Sequence, residues 1–176
     1  MAARDTRCER CQHDVMLREA TTDDLSSLRD LEREANLVGL AHVFPPDRFP
    51  FPDDAVLARW ALVLDDPGVT ILVQDAADGR GLDLFAAYDE GSLRHLAVHP
   101  DRWGEGLASG AVATVVRAMG RLGATEVELW CLEENRRART LYERLGWRAG
   151  DDRRPAPWPP HPTEMRYTRS VRPPDA

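Results

Sequence analysis

The sequence predicts a mixed α/β fold whose central sheet is mostly antiparallel and contains one parallel crossover. Strand patterns at 69–74, 82–88 and 93–98 follow one another through short turns, which favours an antiparallel meander. A glycine-rich turn then leads into a long amphipathic helix, and an apolar strand pattern follows at 125–132. A strand, helix and strand in this order are typical of a right-handed parallel crossover.

The length and composition predict one domain without a membrane span. We expect a polar tail at 1–14, a domain at 15–170 and a second tail at 171–176. The first tail has no apolar segment of the kind found in secretory signals, and no run of eighteen apolar residues occurs. The chain has 3 cysteines, which argues against a disulfide framework. These features predict a cytoplasmic protein.

The net charge of the chain limits the classes of partner that it is expected to bind. The net charge of −7 argues against general binding of nucleic acid or of anionic membranes, and it is compatible with an amine partner. All 23 basic residues are arginine. The absence of lysine excludes a lysine Schiff base, a lysine general base and the lysine of a Walker loop.

The first elements of the domain are a short strand and a helix. The pattern at 15–19 predicts the strand. Thr22 or Asp23 can cap the helix, and Gly39 ends it or begins the next loop. Apolar residues recur at helical spacing between these points. They are Leu25, Leu28, Leu31, Ala35 and Val38.

A loop rich in proline and phenylalanine separates this helix from a second one. The segment at 42–52 cannot form regular structure, because proline removes backbone donors and restricts its neighbours. The second helix is predicted to begin at Asp53 or Asp54. Its apolar side is formed by Val56, Leu57, Trp60, Ala61 and Leu64.

The last third of the chain predicts one more helix and a final strand. Asn135 is placed to cap a helix, and Gly146 is placed to end it. A short strand at 147–148 is followed by a proline-rich irregular segment at 153–162. The last strand is predicted at 163–168.

The glycine-rich turn before the long helix can bind an anion. Gly104 and Gly106 permit positive φ angles and a close approach of a ligand to the backbone. Successive N–H groups from about Gly104 to Ser109 can hold a pyrophosphate, since a helix N-terminus favours negative charge. Arg102 is placed for a further phosphate.

Other interpretations of this turn are a tight bend without a ligand and a dinucleotide-binding loop. The bend needs nothing beyond the two glycines. The dinucleotide loop requires a third glycine at a fixed spacing, and Gly110 comes one position late. The two helices and three strands that precede the turn also argue against a dinucleotide fold.

The chain contains the two motifs LAVHPDRWGEGLASGAV and ENRRARTLYERLGWR. Together they resemble the GNAT superfamily of acyl-CoA-dependent N-acyltransferases. Asn135 and Tyr142 match the asparagine and tyrosine of the second family motif. Trp103 stands where the family's pyrophosphate loop usually has glutamine or arginine. The positions that match this loop are Trp103, Gly104, Glu105, Gly106, Leu107 and Ala108.

The resemblance implies acetyl-CoA as the acyl donor and an amine as the acceptor. It implies that the sheet opens between the strands at 93–98 and 125–132, and that the pantetheine arm pairs with backbone at Leu96, Ala97 and Val98. The diphosphate would lie on the loop from Trp103 to Ser109, near Asn135. Tyr142 would protonate the departing thiolate or donate a hydrogen bond to it. On periodicity alone Tyr142 also fits a core position, and Asn135 a plain N-cap.

The general base is not fixed by the resemblance. Many relatives carry a glutamate six residues before the valine of the pantetheine strand, where this chain has Ser92. His95 and Glu90 are the candidate bases, with Asp89 beside them and water as the alternative. Strict alternation along the strand predicts that His95 and Ser92 face opposite sides of the sheet. Cys131 lies mid-strand without an evident base, so direct attack in a ternary complex is favoured over an acyl-enzyme.

The two irregular segments are expected to build the acceptor site. Aromatic side chains in loops stiffened by proline favour an apolar pocket, although they also fit packing onto the domain's own core. The residues concerned are Phe44, Phe49, Phe51, Trp158 and His161.

The sequence also bears on metals and partners. Cys8, Cys11 and His13 have the spacing of metal ligands, but no fourth ligand is apparent and we predict no metal site. A non-catalytic acyl-CoA-binding module is the alternative to an enzyme. The oligomeric state stays open, a homodimer being one option.

Overall fold

A computed structural model of the chain describes residues 16–171. The predicted tail at 1–14, with Cys8, Cys11 and His13, lies outside the described residues, as do residues 172–176. None of the helices within 16–171 has the length and apolar character that a membrane span requires. Across the same residues, no three His, Cys, Asp or Glu side chains gather into a group that could hold a metal ion.

The first elements follow the predicted order. Strand β1 is shorter than expected, and a single 3-10 turn at Thr22–Asp24 precedes the first helix. Asp24, the last residue of that turn, accepts the backbone N–H of Thr21 at 2.8 Å, and its own N–H donates to the Thr21 carbonyl at 3.0 Å. The elements are β1 (Arg18–Glu19), α1 (Leu25–Gly39) and α2 (Asp53–Leu64).

A seven-stranded sheet forms the centre of the fold, in the order β1-β2-β3-β4-β5-β7-β6. All neighbouring strands are antiparallel except β4 and β5, so the predicted fold class is confirmed. The remaining elements are β2 (Thr70–Asp75), β3 (Leu82–Tyr88), β4 (Ser92–Val98), α3 (Leu107–Arg121), β5 (Glu126–Leu132), α4 (Arg136–Arg144), β6 (Arg148–Pro155) and β7 (Thr163–Ser170).

Strand β6 differs from the prediction. It runs to Pro155 instead of ending at 148, so it takes in the first part of the segment predicted as irregular. It pairs with β7 through Arg153 and Met165, with an irregularity before that point. Proline is tolerated because β6 is an edge strand, where one side of the backbone needs no partner.

Two apolar cores cover the two faces of the sheet. On one face the buried stripe of α3, including Val112 and Val115, packs with Tyr167 of β7. On the other face Leu28 of α1 and Trp60 of α2 pack on β3. The sheet is therefore held between two helical layers, and β4 lies at its centre.

Candidate functional site

Strands β4 and β5 separate after their first residues. Parallel pairing joins Ser92 to Glu128 and Leu93 to Leu129, and goes no further. Beyond Leu93 the side of β4 that faces β5 has no strand partner among residues 16–171. The structure thus contains the opening in the sheet that the resemblance implied.

The unpaired backbone groups in this opening belong to Leu96 and Val98. The N–H of His99 donates to the carbonyl of Asp83 at 2.8 Å, which fixes the hydrogen-bonded positions between β3 and β4. Alternation in an antiparallel ladder then directs the backbone of Ala97 toward β3 and that of Leu96 and Val98 toward the opening. Ala97 therefore contributes its side chain to the site, whereas the other two present backbone groups.

A bulge in β4 changes which of its side chains share a face of the sheet. Ala87 is opposite His95 but Tyr88 is opposite Leu93, so Arg94 is an extra residue. Because an extra residue reverses the alternation, Ser92 and His95 lie on the same face, against α1 and α2. The prediction from strict alternation is wrong for this reason.

The glycine turn lies at one end of the opening and leads into α3. Gly104 and Gly106 have φ angles of 90° and 87°, and an added Cβ would meet nothing within 4 Å at either position. Among residues 16–171, no group accepts a hydrogen bond from the amides of Gly104, Gly106, Leu107 or Ala108. The turn therefore presents free donors to open space at a helix N-terminus.

Most of the predicted site residues line one cavity of about 290 Å³ between the opening and the turn. Glu90 and Glu105 do not line it: Glu90 is exposed in the turn before β4, and Glu105 pairs with Arg102. The predicted residues that do are His95, Leu96, Ala97, Val98, Trp103, Gly104, Gly106, Leu107, Ala108, Ser109, Asn135 and Tyr142. We call this space the central cavity.

Trp103 joins the turn to the strand and to α4. Its indole N–H donates to the carbonyl oxygen of Val98 at 2.7 Å. The guanidinium of Arg137 lies over its ring, 3.7 Å from the centroid. Arg137 lines the central cavity and forms no ion pair with any carboxylate of the described chain. Arg137 was not among the residues predicted from the sequence. The only sequence feature that marks it is its place in the first turn of the helix capped by Asn135.

Arg102 is not available in the way the sequence predicted. It forms ion pairs with Asp83 and with Glu105, the latter at 2.8 Å. The Glu105 contact raises the pKa of Arg102, so the guanidinium stays charged but is already neutralised by two carboxylates. The cation without a carboxylate partner in the central cavity is instead Arg137.

Tyr142 lies on the apolar face of α4 and opens into the central cavity. Only 8% of the residue is exposed, and its ring contacts Trp147 and Tyr167. Its hydroxyl donates to no group within residues 16–171. Burial, followed by the nearby Cys131 thiol, raises the pKa of Tyr142, so the phenol stays protonated at neutral pH. It is therefore both a core residue and a free donor at the cavity wall.

The candidate bases are placed unfavourably for proton abstraction. Burial, with the nearby charges of Arg59 and Arg94, lowers the pKa of His95 to about 3. Its ring packs against Trp60 with centroids 5.2 Å apart. Asp89 accepts the N–H groups of the turn, including that of Ser92 at 2.7 Å. His95 is thus a neutral, weakly basic ring, and Asp89 holds the start of β4.

Two further side chains take up structural roles at the predicted positions. Asn135 caps α4, because its side-chain oxygen accepts the N–H of Ala138 at 3.1 Å. Asn135 also lines the central cavity. Burial raises the pKa of the Cys131 thiol to about 12. A thiol with that pKa is a poor nucleophile, which supports the prediction against an acyl-enzyme.

A second, more apolar cavity of about 380 Å³ adjoins the first. We call it the aromatic groove. It brings together the aromatic residues predicted for the acceptor site, except His161, whose ring bonds to the carbonyl of Ala156 instead. Phe51 and Trp158 also pack on the core below, whereas Phe44 and Phe49 are not part of it. The lining includes Leu37, Phe44, Phe49, Pro50, Phe51, Pro52, Trp158 and Pro159.

Glu32 of α1 lies where the two cavities meet. It lines both of them, and its side chain is 15% exposed. Its Oε2 accepts the indole N–H of Trp60 at 2.7 Å and also a guanidinium N–H of Arg59. Its other oxygen, Oε1, accepts no hydrogen bond from the described residues. Nothing in the sequence separates Glu32 from the other charges of α1, so this residue was missed.

Comparisons with known proteins agree on one family. The profile of the Acetyltransferase (GNAT) family matches residues 4–147. No curated protein sequence matches the chain. Among solved structures, a GCN5-related N-acetyltransferase from Rhodopseudomonas palustris is 16% identical, with a TM-score of 0.72 over 88% of this chain and 94% of that one.

Two further structures with the same fold contain bound ligands. The PaiA N-acetyltransferase from Thermoplasma acidophilum, in complex with coenzyme A, is 15% identical with a TM-score of 0.67, covering 88% of this chain and 98% of that one. The spermidine N-acetyltransferase from Vibrio cholerae, in complex with CoA and spermine, is 16% identical with a TM-score of 0.64, covering 88% and 94%. At these identities the likeness shows the shared fold.

Proposed function

Because the chain belongs to the GNAT acetyltransferase family, we propose that it transfers the acetyl group of acetyl-CoA to a primary amine by direct attack in a ternary complex. One arrangement carries the proposal: unpaired backbone of β4, free amides of the glycine turn and the Tyr142 hydroxyl all line the central cavity. A bound acetyl-CoA would use all three kinds of group: the amides for its diphosphate, the strand backbone for its pantetheine arm and the hydroxyl for its sulfur.

The turn and α4 would bind the phosphates of the donor. The amides of Gly104, Gly106, Leu107 and Ala108 supply uncharged donors at the N-terminus of α3. Arg137 supplies positive charge beside them. The resemblance of these loop residues to the family's pyrophosphate loop supports this placement.

The β4 backbone would hold the pantetheine arm. Leu96 and Val98 direct their N–H and C=O groups into the opening, where a chain of amides can pair with them as a strand would. The carbonyl of Val98 already accepts the Trp103 indole N–H, so it has one lone pair left for a ligand. The N–H of Val98 can polarise the thioester carbonyl.

The transfer requires one C–N bond to form and one C–S bond to break. The neutral amine attacks the carbonyl carbon, and the oxygen that becomes negative is stabilised by backbone N–H. The sulfur leaves as its bond breaks, and Tyr142 gives it a proton or a hydrogen bond. The raised pKa of Tyr142 keeps that proton on the phenol until the thiolate forms.

Neither predicted base fits the removal of the amine proton. Glu90 does not reach the central cavity, and a ring with a pKa of about 3 takes little of the proton from an amine. We propose that the proton leaves through water in the open cavity instead of through His95 or Glu90.

A non-catalytic acyl-CoA-binding module is the second candidate, and one observation favours it. Ser92 occupies the position of the usual glutamate, and its partner on the same face, His95, is neutral and weakly basic. Such a protein would bind the thioester without passing its acyl group to an amine.

Thiol release and CoA titration separate the two candidates. The purified protein is titrated with CoA by calorimetry and then assayed for thiol release from acetyl-CoA with a panel of primary amines. We expect saturable CoA binding and amine-dependent thiol release, with the acetylated amine identified by mass spectrometry. CoA binding with no amine-dependent release would favour the binding module, and no CoA binding would overturn both.

A further inference from the structure

The acceptor side of the site has a distinct chemistry of its own. The aromatic groove and the central cavity are neighbours, because Glu32 and Asn36 line both of them. An acceptor whose body lies in the groove would therefore have its amine close to the central cavity. The groove wall is made mostly of aromatic and proline side chains, which offer apolar contact and few hydrogen bonds.

The charges at the groove are few and already partly neutralised. Glu32 is the one acidic residue in the lining described for either cavity, and its Oε2 is held by Arg59 and Trp60. Arg48 lies 5.5 Å over the ring of Phe49, which places a positive charge at the groove. A polycation would meet one shared carboxylate and a repelling guanidinium, so the lining disfavours it.

Glu32 is arranged to receive a single amine. The contacts of Arg59 and Trp60 with Oε2 fix the carboxylate in place, while Oε1 accepts nothing from the described residues. A fixed carboxylate oxygen with free acceptor capacity is a good partner for an amine N–H. Its position between the cavities puts such an amine beside the central cavity and the rest of the acceptor in the groove.

From this arrangement, and resting on the proposed acetyl transfer, we propose that the acceptor is a small molecule with one primary amine on an apolar aryl or arylalkyl body. The body lies in the aromatic groove, and Glu32 binds the amine. Phe49 determines the preference for the apolar body, because it lines the groove without belonging to the core.

The protons balance through solvent water and Tyr142. The acceptor enters as an ammonium that hydrogen-bonds to Glu32 Oε1, and it gives one proton to water in the open cavity. The nitrogen then forms the C–N bond as the C–S bond breaks. The second proton of the nitrogen passes through solvent to restore the one that Tyr142 gives to the sulfur. The products are the N-acetyl amine, CoA thiol and one proton.

A panel of four acceptors tests the class. Thiol release from acetyl-CoA is followed with 2-phenylethylamine, ethylamine, spermidine and a short peptide with a free N-terminus. We expect kcat/KM for 2-phenylethylamine to exceed that for ethylamine by about ten- to a hundredfold, as expected for burial of an aromatic ring. A preference for spermidine or for the peptide would overturn this inference while leaving acetyl transfer intact.

Three variants test the roles of Phe49 and Glu32 in binding the acceptor. Phe49→Ala should reduce kcat/KM for 2-phenylethylamine about tenfold more than it reduces kcat/KM for ethylamine. Glu32→Gln should raise KM for both of these amines and leave the Kd of CoA unchanged, while Glu34→Gln on the same helix serves as the matched control. Equal losses for both amines in Phe49→Ala, or unchanged KM in Glu32→Gln, would refute the assignment. Release with no amine at all would instead refute the proposed function.

Discussion

The guanidinium of Arg137 lies 3.7 Å from the centroid of the Trp103 indole, so a cation from α4 covers the glycine turn. Trp103 stands where the related loops usually have glutamine or arginine. The turn's own arginine, Arg102, is neutralised by Asp83 and Glu105. The positive charge at the turn is thus supplied from another element of the fold.

The first prediction concerns this charge. Arg137→Gln should weaken CoA binding about three- to tenfold, because one charged contact to phosphate is lost near the surface. Binding of pantetheine, which lacks the diphosphate, should not change. Calorimetry with both ligands measures the difference, with Arg136→Gln as the control. An equal loss for both ligands would mean that Arg137 only supports the shape of the cavity.

The second prediction concerns the space above the turn. Gly106→Glu should raise the Kd of CoA by about a hundredfold or more, since the new side chain puts bulk and negative charge where the diphosphate binds. Gly79→Glu is the matched control, because Gly79 also has a positive φ of 72° and open space beside it, but lies in a distant turn. Both variants should lose similar stability on urea unfolding. Equal CoA affinities would disprove the loop assignment.

The third prediction separates the two roles of Tyr142. Tyr142→Phe keeps the ring contacts with Trp147 and Tyr167 and removes a hydroxyl that has no partner within residues 16–171. We expect kcat to fall about ten- to a hundredfold, with CoA affinity and unfolding free energy nearly unchanged.

Tyr167→Phe provides the contrast for that experiment. Its hydroxyl bonds to Glu143 at 2.9 Å and to Arg139 at 3.2 Å, so its loss should cost about 1 kcal/mol of stability. Its kcat should stay near that of the unchanged protein. A normal kcat in Tyr142→Phe would make that residue a packing side chain alone.

The fourth prediction concerns pH and His95. The folded protein holds the pKa of this ring at about 3, below its ordinary value of 6.5, so only the unfolded chain takes up the proton between those values. Stability should therefore fall as the pH drops from about 6.5 toward 3, with about 1–3 kcal/mol lost by pH 4, and should be unaffected by this group above pH 7. Urea unfolding from pH 4 to pH 8 measures the slope.

His95→Gln should make that slope shallower below pH 6.5, because it removes the group that titrates. Identical slopes in the two proteins would show that the ring can be protonated in the folded state. His95 would then again be a candidate for the general base.

The fold could be predicted from the sequence because its signals are local. The order of strands and helices follows from apolar spacing and from turn residues such as Gly104 and Gly106. Strand β6 was underestimated because an edge strand rich in charge and proline lacks the alternation that marks a half-buried strand. The segment at 42–52 was predicted correctly to be irregular, because its prolines exclude a helix or a strand there. That its aromatic side chains and Trp158 form the acceptor site stays a prediction, although they line one groove.

Residue roles were harder to predict wherever they depend on partners distant in sequence. Arg102 lies in the turn after β4, and Arg137 lies in the first turn of α4. Only their contacts distinguish them, since Arg102 pairs with Asp83 whereas Arg137 stacks on Trp103. The extra residue Arg94 reverses the face of Ser92, and no local pattern announces a bulge of this kind.

The sequence by itself determined most of the order of strands and helices along the chain, the glycine turn and the helix cap at Asn135, because each depends on backbone preferences within a few residues. The tertiary structure decided which groups are free to act. Glu32 is fixed through Oε2 and open at Oε1 only because α1 and α2 pack side by side. His95 is neutral only because the same packing buries its ring beside two arginines. Desolvation and pairing arise from contacts between distant segments, so the sequence pattern carries no sign of them.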